Sequence, residues 1–214
     1  MGARTALERT ILGCLRESAR VHRLLATSQL SQVAQAAQAM RAAVQRGRKI
    51  IWFGNGGSAT QSQHMAAELV GRFSAKRRSL PSISLTENMG SVTAIANDYR
   101  YELIFARQLE GLGQRGDVAV GLSTSGSSPN VLAGLRRAGE LGLTTVGLTG
   151  ASGGGMRTLC DICVMVPSTQ TARIQEAHLA IGHVLCALVE EAILTHRASM
   201  PMASRRGRAV SRSA

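Results

Sequence analysis

The sequence predicts an α/β fold, a parallel sheet covered by helices on both faces. Three observations carry this. Short apolar runs alternate with helix-length amphipathic segments along the chain. The clearest runs, such as "IIWFG" and "VAVGL", are apolar throughout rather than at every second residue, as strands buried on two sides must be. Aromatic residues are only 3% of the 214 residues, which leaves the core to Ala, Val, Leu, Ile and Met. A chain of this length supports one sizeable core and hence one domain.

Taken in order, residues 4–46 read as two helices. In the second, Val33, Ala36, Ala37, Met40 and Val44 keep a 3.6-residue rhythm that Gly47 stops. "KIIWFG" (49–54) is a buried strand ending on glycine, and a helix from about Ser58 to Arg72 follows. "LPSISL" (80–85) is a weaker strand. The next segment gives a short helix, a break near Asn97-Asp98, and a longer helix to about Leu112. "GDVAVGLS" (116–123) is a second clear strand, followed by a helix with Pro129 in its first turn and Gly142 at its end. "TTVGLTG" (144–150) and "ICVMVP" (162–167) are further strands, and "RIQEAHLAIGHVLCALVEEAILTHR" is a long terminal helix. With such a topology, ligands are expected beyond the carboxyl ends of the strands.

Composition narrows the functional classes. No run of about eighteen apolar residues marks a membrane span, and the first residues lack the apolar core and cleavage site of a secretory signal. A soluble, cytoplasmic protein without a membrane partner is the expectation. The domain is read as residues 1–196. Residues 197–214 are expected to be a basic, disordered tail, and their five arginines and no acid account for much of the net charge, +12 with them and +7 without them. No aromatic platform accompanies the basic residues, so nucleic acid is not an expected partner. Cys160 and Cys163 form a lone C-x-x-C. A zinc knuckle needs a second pair, and these read as ordinary thiols beside a strand.

Two strand–loop–helix junctions carry chemistry. In "WFGNGGSAT", Gly54, Gly56 and Gly57 let the backbone approach a ligand closely, Asn55 and Ser58 supply polar groups, and Ser58 suits an N-cap. In "GLSTSGSSPN", Ser123, Thr124, Ser125, Ser127 and Ser128 crowd one loop around Gly126. Hydroxyls, free backbone N–H groups and a helix N-terminus together suit a phosphate ester. Neither loop closes with the Gly-Lys-Ser/Thr of a nucleotide P-loop. The first lacks the acid that a dinucleotide site places about twenty residues on. A small sugar phosphate fits better.

His64 and Glu68 lie four apart, about 40° around the helix, and so share a face beside the glycine turn. The terminal helix offers Gln175, Glu176, His178 and His183. Gln175 lies about 80° from His183 around the axis and Glu176 only about 20° from it, so geometry nominates Glu176 at least as readily as Gln175. A carboxylate and an imidazole converging on a phosphate cradle could move protons next to a carbonyl.

The stretches "GNGGSATQSQHMAAELVGR", "AIANDY", "GLSTSGSSPNVL" and "RIQEAHLAIGHVL" resemble, in order, those of the SIS-fold (sugar isomerase) phosphoheptose isomerases, from about residue 30 to 195. The resemblance implies a three-layer sandwich around a five-stranded parallel sheet, preceded by an N-terminal helical segment. It implies a homotetramer with active sites between subunits. The substrate it implies is sedoheptulose 7-phosphate, a phosphorylated seven-carbon sugar, isomerised through an enediolate to the aldose at the start of activated heptose biosynthesis. By motif, Asn55, Gly56, Gly57, Asn97 and Asp98 contact substrate, and Ser123, Thr124, Ser125 and Ser128 hold the phosphate. Glu68 is the base and His183 the acid. Zinc, where members bind it, sits among His64, Glu68, Gln175 and His183, and Gln175 also faces substrate.

The sequence departs from the pattern at Ala172, where some members carry an acid, and in the arginine tail. "RRSLPSISL" and "TAIAND" also resemble non-catalytic SIS proteins that associate with the bacterial replication initiator. Those typically lack the Glu68 and His183 side chains, and this chain keeps both. A sugar-phosphate-sensing module would need only the serine loop and the glycine turn.

Overall fold

The computed structural model describes residues 5–199; most of the arginine-rich segment, with the expectation attached to it, lies outside the described residues. Five strands form one parallel sheet in the order β2-β1-β3-β4-β5: β1 Ile50–Gly54, β2 Ser82–Ser84, β3 Val118–Ser123, β4 Thr144–Thr149 and β5 Ile162–Met165. The helices are α1 Ala6–Ser28, α2 Leu30–Gln45, α3 Gly57–Val70, α4 Met89–Asp98, α5 Ile104–Leu112, α6 Pro129–Glu140, α7 Met156–Leu159 and α8 Thr171–Ser199. A single 3₁₀ turn, Tyr101–Leu103, joins α4 to α5.

Alternation along the strands builds two cores. Ile50, Trp52, Val118, Val120, Leu122, Val146 and Leu148 face α1, α2, α3 and α8. Ile51, Phe53 and Ala119 face the layer formed by α4, α5, α6 and α7. All five residues of β1 and all six of β3 are buried, which is why both read as unbroken apolar runs. β1, β3 and β4 end level: Gly54 lies opposite Leu122, and Ser123 opposite Thr149. The chain leaves β1 towards β2 on one side and β3 on the other, so the crevice beyond Gly54 and Ser123 is the topological switch point.

No apolar run long enough for a membrane span was expected, yet the stretch Thr171–Thr195 reaches a mean hydropathy of 1.6. In the fold 56% of that stretch is buried, and α8 packs on α1, α2 and α3. Its apolarity belongs to the core.

A buried ion pair, Arg77–Glu190, ties the segment that follows α3 to α8. Beyond α3 the chain wraps around Glu190 of α8, whose carboxylate accepts from the backbone N–H groups of Phe73, Ser74 and Ala75, from the Ser74 hydroxyl and from Arg77 Nε. Arg77 Nη1 donates to the Leu69 carbonyl and Nη2 to that of Glu68, both at 2.8 Å, and Nη1 also reaches Gly71. These are carbonyls that the end of a helix leaves without intrahelical partners. Burial opposes ionisation of Glu190, but the N–H groups of Ala75, Ser74 and Phe73 outweigh it and hold the carboxyl down to about 2.

Glu190→Gln is expected to lose about 3–5 kcal/mol at neutral pH, measured by urea unfolding, because it leaves the Arg77 charge buried and unpaired. The stabilisation from Glu190 is complete above its ordinary value of 4.5 and is lost as the pH falls towards 2. Across that window the unfolded chain binds the extra proton. The wild-type stability should therefore fall more steeply than the variant's, by up to about 1.4 kcal/mol per pH unit. Parallel curves would contradict the assignment.

Candidate active site

β1 ends at Gly54, and the chain turns through Asn55 and Gly56 into α3. Gly56 takes the cap position with φ 55, a conformation open to glycine and costly for other residues. This corrects the expectation that Ser58 caps the helix: α3 begins one residue earlier, and Ser58 lies inside its first turn, 3% exposed. Gly57 is a close approach. A Cβ there would come within 2.6 Å of Gln175 Nε2, so the Gln175 amide lies directly over the turn. Gln61 Nε2, one turn along α3, donates to the Gln175 carbonyl at 2.7 Å.

His64 and Glu68 share a face of α3, with Nε2 and Oε1 3.2 Å apart. His183 reaches them from α8, its Nε2 3.0 Å from that of His64. The His64 side chain is 48% exposed and that of Glu68 24%, so the cluster opens to solvent. The donor atoms of His64, Glu68 and His183 all lie within 4.8 Å of one another, an arrangement that fits one metal ion. Imidazole nitrogen with carboxylate oxygen is a donor set of zinc-like ions.

The structure separates Gln175 from Glu176. Glu176 Oε1 pairs with Arg173 Nη2 at 2.6 Å, and Arg173 also donates to the Cys14 carbonyl of α1. Glu176 is thus engaged towards α1, while Gln175 sits over the glycine turn. His178 is a core residue, 1% exposed, with Nε2 on the Thr149 carbonyl. Burial drives its pKa down to about 4, so it is neutral. In the C-x-x-C, burial pushes the Cys160 thiol up to about 12 and raises that of Cys163 as well, which disfavours the nucleophilic thiolate.

The serine loop follows β3. Ser123 Oγ lies 2.9 Å from Ser128 Oγ and 3.3 Å from Ser125 Oγ. Ser128 is the N-cap of α6 without a side-chain cap bond, and Pro129 follows it. Ser125 and Ser127 are exposed and Thr124 is half-buried. The loop is held from behind: Gly150 N–H donates to the Thr124 carbonyl, and Met156 N–H to that of Gly126. Gly126 has φ +67, and a Cβ there would lie 2.1 Å from the Gly153 carbonyl oxygen.

Asn97 and Asp98 end α4, exposed and hydrogen-bonded to each other at 2.8 Å. Beside the glycine turn a cavity of about 400 Å³ opens, lined by Asn55, Gln63, Thr86, Thr93 and Tyr101 among others. Three polar residues escaped sequence reasoning. Asn130, at the start of α6, exchanges two 2.8 Å hydrogen bonds with Asn55, and Tyr101 donates to Asn55 at 3.1 Å. Arg77 is the third. Its only sequence signal was a basic run, "KRR", which reads as solvated.

A glycine turn and a hydroxyl-rich loop facing each other across the switch point of a parallel sheet define a sugar-phosphate site of the SIS class. The SIS domain family matches residues 15–150. The chain is 55% identical over 149 residues to a phosphoheptose isomerase of Nitratiruptor sp., covering 70% of this chain and 80% of that one. It is 48% identical over 178 residues to that of Aquifex aeolicus, covering 83% and 93%. The solved phosphoheptose isomerase of Francisella tularensis superposes with a TM-score of 0.83 at 34% identity, covering 88% of this chain and all of that one. The chain belongs to the phosphoheptose isomerases, a family of aldose–ketose isomerases.

Gly126→Ala is expected to destabilise the fold by about 1–3 kcal/mol through backbone strain, and to open the loop because the Gly153 carbonyl must move. Urea unfolding and titration with sedoheptulose 7-phosphate check this. Unchanged stability and affinity would show that the loop tolerates a Cβ.

Proposed function

We propose that this protein converts sedoheptulose 7-phosphate to D-glycero-D-manno-heptose 7-phosphate, the first step of activated heptose biosynthesis, with Glu68 and His183 as the proton-transferring pair. The observation that carries the assignment is the convergence of a carboxylate and two imidazoles from α3 and α8 beside a phosphate-sized cradle. Ser123, Thr124, Ser125 and Ser128 bind the phosphate at the N-terminus of α6. Asn55, Gly56, Gly57, Asn97, Asp98 and Gln175 contact the sugar.

Glu68 removes a proton from C1 of the ketose and returns it to C2. His183 protonates the C2 oxygen and takes the proton from the C1 hydroxyl. The enediolate between these steps accounts for every atom, and no redox partner is needed. His64, Glu68, Gln175 and His183 would hold a zinc ion, one per subunit, which would polarise the carbonyl and stabilise negative charge on its oxygen. A carboxylate on zinc would be a weaker base, so Glu68 would not serve fully as ligand and as base at once.

The protein acts in the cytoplasm as a homotetramer with the sites between subunits. Supporting this, His64 is half exposed and α1 presents Leu7, Ile11 and Leu15 at 71%, 50% and 64% exposure. Ala172 provides no acid at the start of α8, so no proton relay is assigned to that position.

Incubation with sedoheptulose 7-phosphate, followed by NMR, is expected to give heptose 7-phosphate, and Glu68→Gln to lower turnover about 10²-fold or more. Binding without conversion would indicate a sensor; neither would indicate a scaffold. Elemental analysis of purified protein is expected to find one zinc per subunit, lost in His64→Ala together with most activity. A metal-free wild type of full activity would remove zinc from the assignment.

A further inference from the structure

The orientation of Asn55 is set by a chain of hydrogen bonds that crosses the switch point. Its direction starts at the backbone. Val131 N–H belongs to the first turn of α6, where helical N–H groups lack intrahelical acceptors. It donates to Asn130 Oδ1 at 2.9 Å. A backbone N–H can only donate, so the Asn130 oxygen must face it, and Asn130, 2% exposed, has one orientation. Asn130 Nδ2 then donates to Asn55 Oδ1, and Asn55 Nδ2 donates back to Asn130 Oδ1, both at 2.8 Å. Tyr101 OH supplies a second donor to Asn55 Oδ1 at 3.1 Å.

The inventory of Asn55 follows. Its oxygen accepts two hydrogen bonds and has no lone pair left. Its nitrogen has given one N–H to Asn130, and the other has no partner among the described residues. In a planar amide paired this way, the remaining N–H points away from Asn130. We infer that Asn130 and Tyr101 are positioning residues for Asn55, fixing its amide so that it presents an N–H, and never its oxygen, to the sugar.

This inference rests on the reading of Asn55 as a substrate contact. It specifies the chemistry of the group at that contact: an oxygen acting as acceptor, such as a carbonyl or a developing enediolate oxygen. Such a donor, held before substrate arrives, needs no reorganisation when charge builds on that oxygen. A freely rotating asparagine could turn its oxygen to a hydroxyl donor and bind ground state and transition state alike. The same bonds tie the glycine turn after β1 to the start of α6, and so to the serine loop.

The test is a mutant cycle on the full chain: Tyr101→Phe, Asn130→Asp and Asn55→Ala, with each of the first two also made in the Asn55→Ala background. Calorimetry gives the affinity for sedoheptulose 7-phosphate, NMR gives kcat and KM, and thermal unfolding reports stability. Tyr101→Phe is expected to lower kcat/KM roughly 3–10-fold, and Asn130→Asp roughly 10–100-fold because its second oxygen repels that of Asn55. In the Asn55→Ala background both effects are expected to shrink below about 2-fold, since there is no amide left to orient. A purely structural role would move the unfolding temperature and would persist in that background. Wild-type kinetics in Tyr101→Phe, effects that survive Asn55→Ala, or an Asn55→Ala variant as active as wild type would each overturn the inference while the isomerase reading stands. A wild type that neither binds nor converts the sugar would overturn both.

Discussion

The distance between α3 and α8 is the constraint on which the rest of the site depends. His64 and Glu68 stand on one helix and His183 on the other, and the 3.0 Å contact between the two imidazoles allows an error of only a few tenths of an ångström. The Arg77–Glu190 pair holds that distance. Arg77 closes the end of α3 by donating to the carbonyls of Glu68 and Leu69, and its partner Glu190 lies two turns along α8 from His183. The pair is dry, with side-chain exposures of 0% and 3%. A buried pair of this kind gains little net stability over an apolar replacement, because both charges give up their hydration. Its contribution to the site is positional: it ties the end of α3, through the Glu68 and Leu69 carbonyls, to α8 near His183.

The second half of the site is arranged by the sheet. Strand order 2-1-3-4-5 leaves a crevice between the ends of β1 and β3, and both chemistry-bearing loops leave the sheet there. The glycine turn brings backbone close to a ligand; the serine loop adds hydroxyls and the N-terminus of α6. The Asn55–Asn130 amide pair joins the two loops across the crevice. The two loops are therefore parts of one connected polar structure rather than independent of each other.

Much of this was legible in the sequence. β1 and β3 were readable because burial on both faces makes a strand continuously apolar, and the less buried β5 and three-residue β2 still sit inside their expected runs. The helices followed from their periodicity and from punctuation at Gly47, Pro129 and Gly142. The four-residue α7 and the 3₁₀ turn were not readable, being too short to show a period. His64 and Glu68 shared a face by spacing alone, whereas spacing left Gln175 and Glu176 open and only the family resemblance chose Gln175, since the choice depends on which side of α8 meets Arg173 and α1. Asn130 and Asn55 are 75 positions apart and Arg77 and Glu190 are 113 apart. Nothing local marks such pairs; they exist only once the sheet has placed their elements side by side.

The central claim is that a carboxylate on α3 carries a carbon-bound proton from one carbon of the sugar to its neighbour. Glu68 is 24% exposed, so a proton resting on it can exchange with solvent. Turnover in deuterium oxide tests this most directly, with the aldose product examined by NMR for deuterium at C2. The expected result is deuterium at C2. Product carrying only protium there, formed at the full rate, would mean that the hydrogen passes directly between the carbons, and would contradict the account.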